Sequence, residues 1–233
     1  MIGDDIVFKI DGVDVRGRIG QTIMEAADDA GIHIPRLCDV EGLDPQGSCR
    51  VCTVKINGRT AASCTQPVAD GINVENRTPE IQEYRRDLVR MLFHEGNHLC
   101  PACEASGRCE LQALGTDFGI LQPDKYPYLQ PSRPVDASHH DVMLDTNRCI
   151  RCGRCIRASA HVDHKNVFGY VGRGINKQVG VNGTDLAHTN AAVTDKAMEI
   201  GICPVGCIIQ KRVGFFAPIG ARRFDKEPIT GKK

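Results

Sequence analysis

Where the cysteines fall constrains this chain more than any other feature. Twelve of them stand in 233 residues, and they are grouped rather than spread. The first set is Cys38-x10-Cys49-x2-Cys52-x11-Cys64. The second is Cys100-x2-Cys103-x5-Cys109, with His94 and His98 just before it. The third is Cys149-x2-Cys152-x2-Cys155, with Cys203-Pro204 and Cys207 far downstream. In a small secreted protein such a count would suggest disulfides. The start, Met1-Ile2-Gly3-Asp4-Asp5, has neither the basic nor the apolar region of a secretory leader, and there is no run of eighteen apolar residues. Repeated Cys-x-x-Cys in such a chain favours metal over disulfide, and a cytoplasmic location is expected.

Each set carries its own chemistry. Thiolates are soft ligands that suit iron–sulfur clusters or zinc. Zinc ribbons use two Cys-x-x-Cys pairs, whereas the first set has one pair and two lone cysteines. That one-loop-plus-one layout is the plant-type [2Fe–2S] pattern. Gly42, Gly47 and Gly58 would let backbone N–H groups turn toward sulfur and favour the reduced, more negative state. The second set could hold zinc as Cys₃His or a cluster with one imidazole ligand. A neutral imidazole in place of a thiolate would raise a cluster's potential. His98 is the preferred ligand. His94, at the end of an amphipathic stretch, is the rival and has a helix-capping alternative. In the third set, three closely spaced cysteines and a remote Cys-Pro match the bacterial [4Fe–4S] run, with Cys203 as fourth ligand. Cys207 then reads as a small buried hydrophobe, with a ligand role as the alternative.

The rest of the chain reads as scaffold. It is 41% hydrophobic and 25% charged, enough for a real core. Ile6 to Ile10 alternates as a strand, Asp11-Gly12 signals a hairpin, and Val13 to Arg16 returns. Thr22 and Glu25 form a capping box for a helix that Gly31 closes. Val51 to Ile56 and Asn57-Gly58 repeat the strand-and-turn signal. Thr78-Pro79-Glu80 opens an amphipathic helix to His94. Glu110 to Phe118 and Asn190 to Ile200 read as helices, Arg154 to Ala160 as a helical turn. Val142 to Leu144 reads as a strand and Val167 to Val181 as a hairpin. Pro123, Pro127, Pro131 and Pro134 mark a connector. An α+β chain follows: 1–77, 78–119, a connector 120–138, 139–216, and an extended tail 217–233.

Net charge is zero and Trp is absent, so nothing points to nucleic acid. The start is acidic (Asp4, Asp5, Asp11, Asp14, Glu25, Asp28, Asp29) and the end basic (Lys211, Arg212, Arg222, Arg223, Lys226, Lys232, Lys233). These read as solvated faces or as docking surfaces. Gly172-Arg173-Gly174 lacks the third glycine of a dinucleotide fingerprint, and no P-loop occurs.

Five segments carry a resemblance: Gly47-Ser48-Cys49-Arg50-Val51-Cys52, Ala62-Ser63-Cys64-Thr65-Gln66-Pro67-Val68, Cys109-Glu110-Leu111-Gln112, Cys149-Ile150-Arg151-Cys152-Gly153-Arg154-Cys155 and Cys203-Pro204-Val205-Gly206. In this order, over residues 1 to 215, they resemble the N-terminal region of the large iron–sulfur subunit of respiratory complex I. They also resemble the front end of [FeFe] hydrogenases. At this length the chain is most similar to diaphorase small subunits of NAD-reducing [NiFe] hydrogenases. The family's usual spacing in the second set is His-x3-Cys; here His98 stands two residues closer.

The resemblance implies a β-grasp [2Fe–2S] ferredoxin domain, a His-Cys₃ [4Fe–4S] segment and a ferredoxin-like [4Fe–4S] domain. It implies one [2Fe–2S] and two [4Fe–4S] clusters. It implies electron transfer between a flavin- and NAD-binding diaphorase large subunit and the small and large subunits of a [NiFe] hydrogenase. No catalytic centre is expected in this chain alone. A subunit of another NADH-linked dehydrogenase, complex I-like or formate-oxidising, and a structural zinc protein are the alternatives.

Overall fold

The computed structural model describes residues 5–122, 124–129, 132–199 and 201–231. Asp4, Pro123, Pro131, Ile200, Lys232 and Lys233, named above, lie outside the described residues, as does the Asp5 side chain. The chain divides into two compact units, Met1–Asp39 with Pro45–Val89, and Val40–Asp44 with Arg90–Lys233.

The first unit is the expected α+β ferredoxin architecture. Strands β1 (Asp5–Ile10) and β2 (Val13–Arg18) pair antiparallel, with Asp11 and Gly12 both at positive φ in the turn. Helix α1 (Ile23–Asp29) follows, then β3 (Thr53–Ile56), β4 (Arg59–Ala62) and β5 (Asn73–Glu75). The sheet order is β2-β1-β5-β3-β4, with β1 and β5 parallel. Alternation along β1 and β2 sends Phe8, Ile10 and Val15 into the core against Ile23, Met24, Ala26 and Ala27 of α1. The capping box is present: Thr22 Oγ1 accepts from Glu25 N–H at 3.2 Å, and the Glu25 carboxylate accepts from Thr22 N–H at 2.7 Å. Helix α2 (Pro79–Glu95) begins in this unit. Its Arg85 is 1% exposed and donates to Thr53 O at 2.7 Å, Asn76 O at 2.9 Å and Asn76 Oδ1 at 2.8 Å. These bonds offset the cost of burying a guanidinium and tie α2 to the end of β3.

The second unit holds α3 (Glu110–Asp117), β6 (Val135–Asp136), β7 (Val142–Asp145), α4 (Arg154–Arg157), β8 (Phe168–Val171), β9 (Gln178–Val181), β10 (Ile208–Gln210) and α5 (Arg223–Lys226). β10, β7 and β6 form an antiparallel sheet, and β8 and β9 the expected hairpin. Two expectations fail here. Residues 190–199 form no α-helix; only a 3₁₀ turn, Lys196–Met198, is present. Side chains hold the backbone N–H groups of this segment in other bonds. The Asp163 carboxylate accepts from Lys196 and Ala197, and Asp195 accepts from Ala192. The tail is not simply extended either. Arg222 and Gly220 both donate to Asp225 at 2.7 Å and fold the one-turn α5.

Many terminal charges meet partners within the chain: Asp14 with Lys9, Asp28 with Arg36, Asp29 with Arg18, and Arg212 with Asp141. Among the described residues no helix is long and apolar enough to cross a membrane.

Candidate metal centres

All four cysteines of the first set lie in the first unit and meet there. Cys38, Cys52 and Cys64 are buried within the core, and the Cys52 and Cys64 sulfurs stand 3.4 Å apart. Cys38 forms hydrogen bonds with Cys49 and Cys64. The backbone N–H of Val51 approaches Cys49, and that of Cys64 approaches Cys52. Bonds from Cys49 and Cys64 favour the Cys38 thiolate, while those same bonds to Cys38, and then burial, push the Cys49 and Cys64 thiols up. Four sulfurs packed this closely cannot all ionise without a cationic centre among them. Arg50, between Cys49 and Cys52, sits at φ 60°. A left-handed residue there curls the loop so that successive N–H groups face inward.

The second set is carried on a loop that α3 anchors. Cys109 is the N-cap of α3, and its sulfur accepts from Gln112 N–H at 3.4 Å. The Gln112 side chain accepts from Gly107 N–H at 2.7 Å. This explains the sequence Cys-Glu-Leu-Gln: Leu111 is fully buried, and Gln112 folds the loop back on its cysteines. Burial pushes the Cys109 thiol up to about 12. The C-terminal tail also holds the loop, with Phe224 N–H donating to Gly107 O at 2.9 Å and Arg222 to Ser106 Oγ at 3.2 Å.

The two histidines differ in setting. His98 lines a cavity of about 480 Å³ with Cys100, Phe93, Leu121 and Tyr128. Its Nε2 is buried and without a hydrogen-bond partner, while the ring bonds the Leu92 backbone. Burial, helped by Arg148, lowers its pKa to about 4, so the imidazole is neutral at pH 7. His94 is also buried, with neither ring nitrogen bonded, and its ring meets Tyr126 edge-on.

The third set is assembled by strand register. β7 pairs antiparallel with β10, Leu144 opposite Ile208, and Asp145 N–H donates to Cys207 O at 2.8 Å. The chain leaving β7 reaches Cys149, and the chain entering β10 carries Cys203 and Cys207, so pairing brings them together. Cys207 hydrogen-bonds both Cys149 and Cys203. Cys203 also accepts from the backbone N–H groups of Val205, Cys207 and Ile208, and these bonds, the Cys207 thiol's foremost, draw its pKa down to about 6. Cys152 is pushed up to about 12 by burial. Arg151, like Arg50, has positive φ (55°), and its N–H reaches Cys149 Sγ at 3.4 Å. The second and third sets are clasped together. Arg154, 1% exposed, makes a two-pronged bridge to Glu110 at 2.7 and 3.0 Å, and Glu110 N–H donates to Pro204 O at 2.8 Å.

Sequence reading missed Arg50, Arg151, Arg148 and the Arg154–Glu110 pair. An arginine beside a cysteine carries no sign of its φ or of its distant partner. Among the described residues no three His, Cys, Asp or Glu side chains close on a point as a single-ion site does. The donors are soft and buried or half-buried: four in the first set, three with a neutral imidazole beside them in the second, and five in the third. They suit iron–sulfur clusters.

Comparison with known proteins agrees in each segment. Residues 3–79 match a 2Fe-2S iron-sulfur cluster binding domain, residues 85–123 the NADH-ubiquinone oxidoreductase-G iron-sulfur binding region, and residues 140–209 the ferredoxin-like domain of NADH-quinone oxidoreductase subunit 3. The chain is 38% identical to the NAD-reducing hydrogenase HoxS subunit gamma of Cupriavidus necator, over 97% of this chain and 96% of that one. It is 30% identical to the mitochondrial NADH dehydrogenase [ubiquinone] iron-sulfur protein 1 of Solanum tuberosum, over 92% of this chain but 29% of the relative. A chain in a crystal structure of NAD+-reducing [NiFe]-hydrogenase in the H2-reduced state superposes with TM-score 0.92 at 43% identity, covering 98% of this chain and 97% of that one.

Proposed function

The chain belongs to the family of gamma subunits of NAD-reducing hydrogenase, and from that membership we propose that it conducts electrons between a [NiFe] hydrogenase module and a flavin- and NAD-binding diaphorase subunit. The single observation that carries this reading is the gathering of its cysteines into three sets, in the family's order, along a chain that aligns with the hydrogenase subunit over 97% of its length. On this reading Cys38, Cys49, Cys52 and Cys64 hold one [2Fe–2S] cluster. His98, Cys100, Cys103 and Cys109 hold a [4Fe–4S] cluster, and Cys149, Cys152, Cys155 and Cys203 a second. When bound, the clusters supply one-electron carriers. The protein's part is to bury the sulfurs, aim N–H groups at them and exclude water, which sets the potentials. The partners would be the diaphorase large subunit and the hydrogenase small and large subunits, in the cytoplasm.

Anaerobic metal analysis tests the cluster count. Two plus four plus four gives about 10 iron atoms per chain. Stoichiometric zinc with little iron would return the chain to the structural zinc alternative.

His98 is favoured as ligand because its Nε2 lacks a partner while the ring bonds the Leu92 backbone. Ligating histidines typically use their second nitrogen in this way. His98→Ala should abolish the electron paramagnetic resonance signal of the middle cluster or leave one iron open to water. His98→Cys should keep the cluster and lower its potential, because a thiolate adds negative charge. If His94→Ala produces these losses and His98→Ala does not, the ligand is His94.

A further inference from the structure

The second and third cysteine sets approach each other at Gly206. A Cβ at Gly206 would stand 2.8 Å from Cys103 Sγ, 3.1 Å from Ala105 Cβ and 3.4 Å from Arg148 Nη1. Gly206 is not among the glycines with positive φ, so what this glycine provides is space and not conformation. It is covalently joined to Cys207, whose thiol bonds both Cys149 and Cys203. Arg148 spans the same gap. Its Nη1 lies 2.7 Å from Glu104 Oε2, 3.4 Å from Gly206 O and 3.7 Å from Cys103 Sγ, and its Nε lies 2.9 Å from Asp145 Oδ2. One guanidinium thus touches the residue after Cys103, the Cys103 sulfur itself and the backbone between Cys203 and Cys207. It is also the chain neighbour of Cys149.

We propose that Arg148 and Gly206 form the junction between the second and third cysteine sets, Gly206 by permitting the close approach and Arg148 by fixing the potential of the centre that Cys103 holds. The proposal rests on the cluster reading above. One electron crosses the junction; no bond breaks and no proton is transferred. The physical reason is twofold. Transfer between centres is favoured by short contact through packed atoms, and an added side chain at residue 206 would have to displace the Cys103 sulfur. A fixed cation bonded to a ligand sulfur stabilises the reduced, more negative state. Arg148 also holds two carboxylates, Glu104 and Asp145, away from acting on that sulfur unopposed. Arg148 is a positioning residue, since it meets the centre only through the sulfur.

The experiment is a redox titration of the intact hydrogenase complex, followed by electron paramagnetic resonance. Arg148→Gln should shift the middle cluster's one-electron equilibrium about tenfold toward the oxidised form, roughly 59 mV lower. Arg148→Lys should keep most of the parent potential. Glu104→Gln should move the potential the opposite way, upward, and serves as the sign test should Arg148→Gln fail to assemble. The [2Fe–2S] signal should not move in any of them. Gly206→Ala, after a hydrogen pulse and freeze-quenching, should separate in time two cluster signals that arise together in the parent. The tuning role is overturned if the two charge variants leave the middle potential unmoved or move it in the same direction. The junction is overturned if Gly206→Ala leaves the timing unchanged. A parent complex lacking iron in this chain would instead sink the cluster reading, which metal analysis detects separately.

Discussion

Cys203→Ser should remove one [4Fe–4S] signal from the chain or convert it to a three-iron form, and hydrogen-dependent NAD reduction should fall by orders of magnitude with it. Cys207→Ser should keep the cluster. Both thiols stand with Cys149, so proximity does not separate them. Their surroundings do. Cys203 accepts three backbone N–H bonds, from Val205, Cys207 and Ile208, which suits a sulfur carrying negative charge. Cys207 is 3% exposed, and its hydrogen bonds to Cys149 and Cys203, then burial, push its pKa well up. On the proposed reading it serves as a donor to the set, and Cys203 is the ligand that closes it. Serine can still donate from that position, so the expected change in Cys207→Ser is a modest shift of potential with the iron retained. A lost cubane in Cys207→Ser with an intact one in Cys203→Ser would reverse the assignment.

The second large effect concerns the whole chain. Removing it from the hydrogenase complex should abolish hydrogen-dependent NAD reduction while each remaining half keeps its activity with artificial dyes. The isolated chain should neither reduce NAD nor oxidise hydrogen. A cofactor enzyme needs groups that place substrate against a reactive atom. Three polar groups beside the sets are engaged with sulfur, backbone or one another: Gln112 with the Gly107 N–H, Arg154 with the Glu110 carboxylate, Arg148 with the Cys103 sulfur. Hydrogen-dependent NAD reduction persisting at full rate without the chain would remove the conducting role.

What the sequence determined by itself is the chemistry that is local in the chain. Cys-x2-Cys and Cys-x2-Cys-x2-Cys define their own loops, since a few residues of backbone fix where successive sulfurs can point. The turns Asp11-Gly12 and Asn57-Gly58 and the Thr22–Glu25 box are likewise three- or four-residue devices, and all form as read. The tertiary structure decided everything that joins distant segments. Parallel pairing of β1 with β5 closes the first sheet across some sixty residues of chain. The register of β7 against β10 carries Cys203 to Cys149. The absent helix at 190–199 follows the same rule: local propensity favoured it, but Asp163, more than thirty residues away, captured its N–H groups. Arg148 and Arg154 became legible only when folding brought Cys103 and Glu110 to them. Ligand spacing survives in one dimension because a loop needs only its own backbone. The charges and contacts around each sulfur come from other segments, and no window of sequence contains both partners.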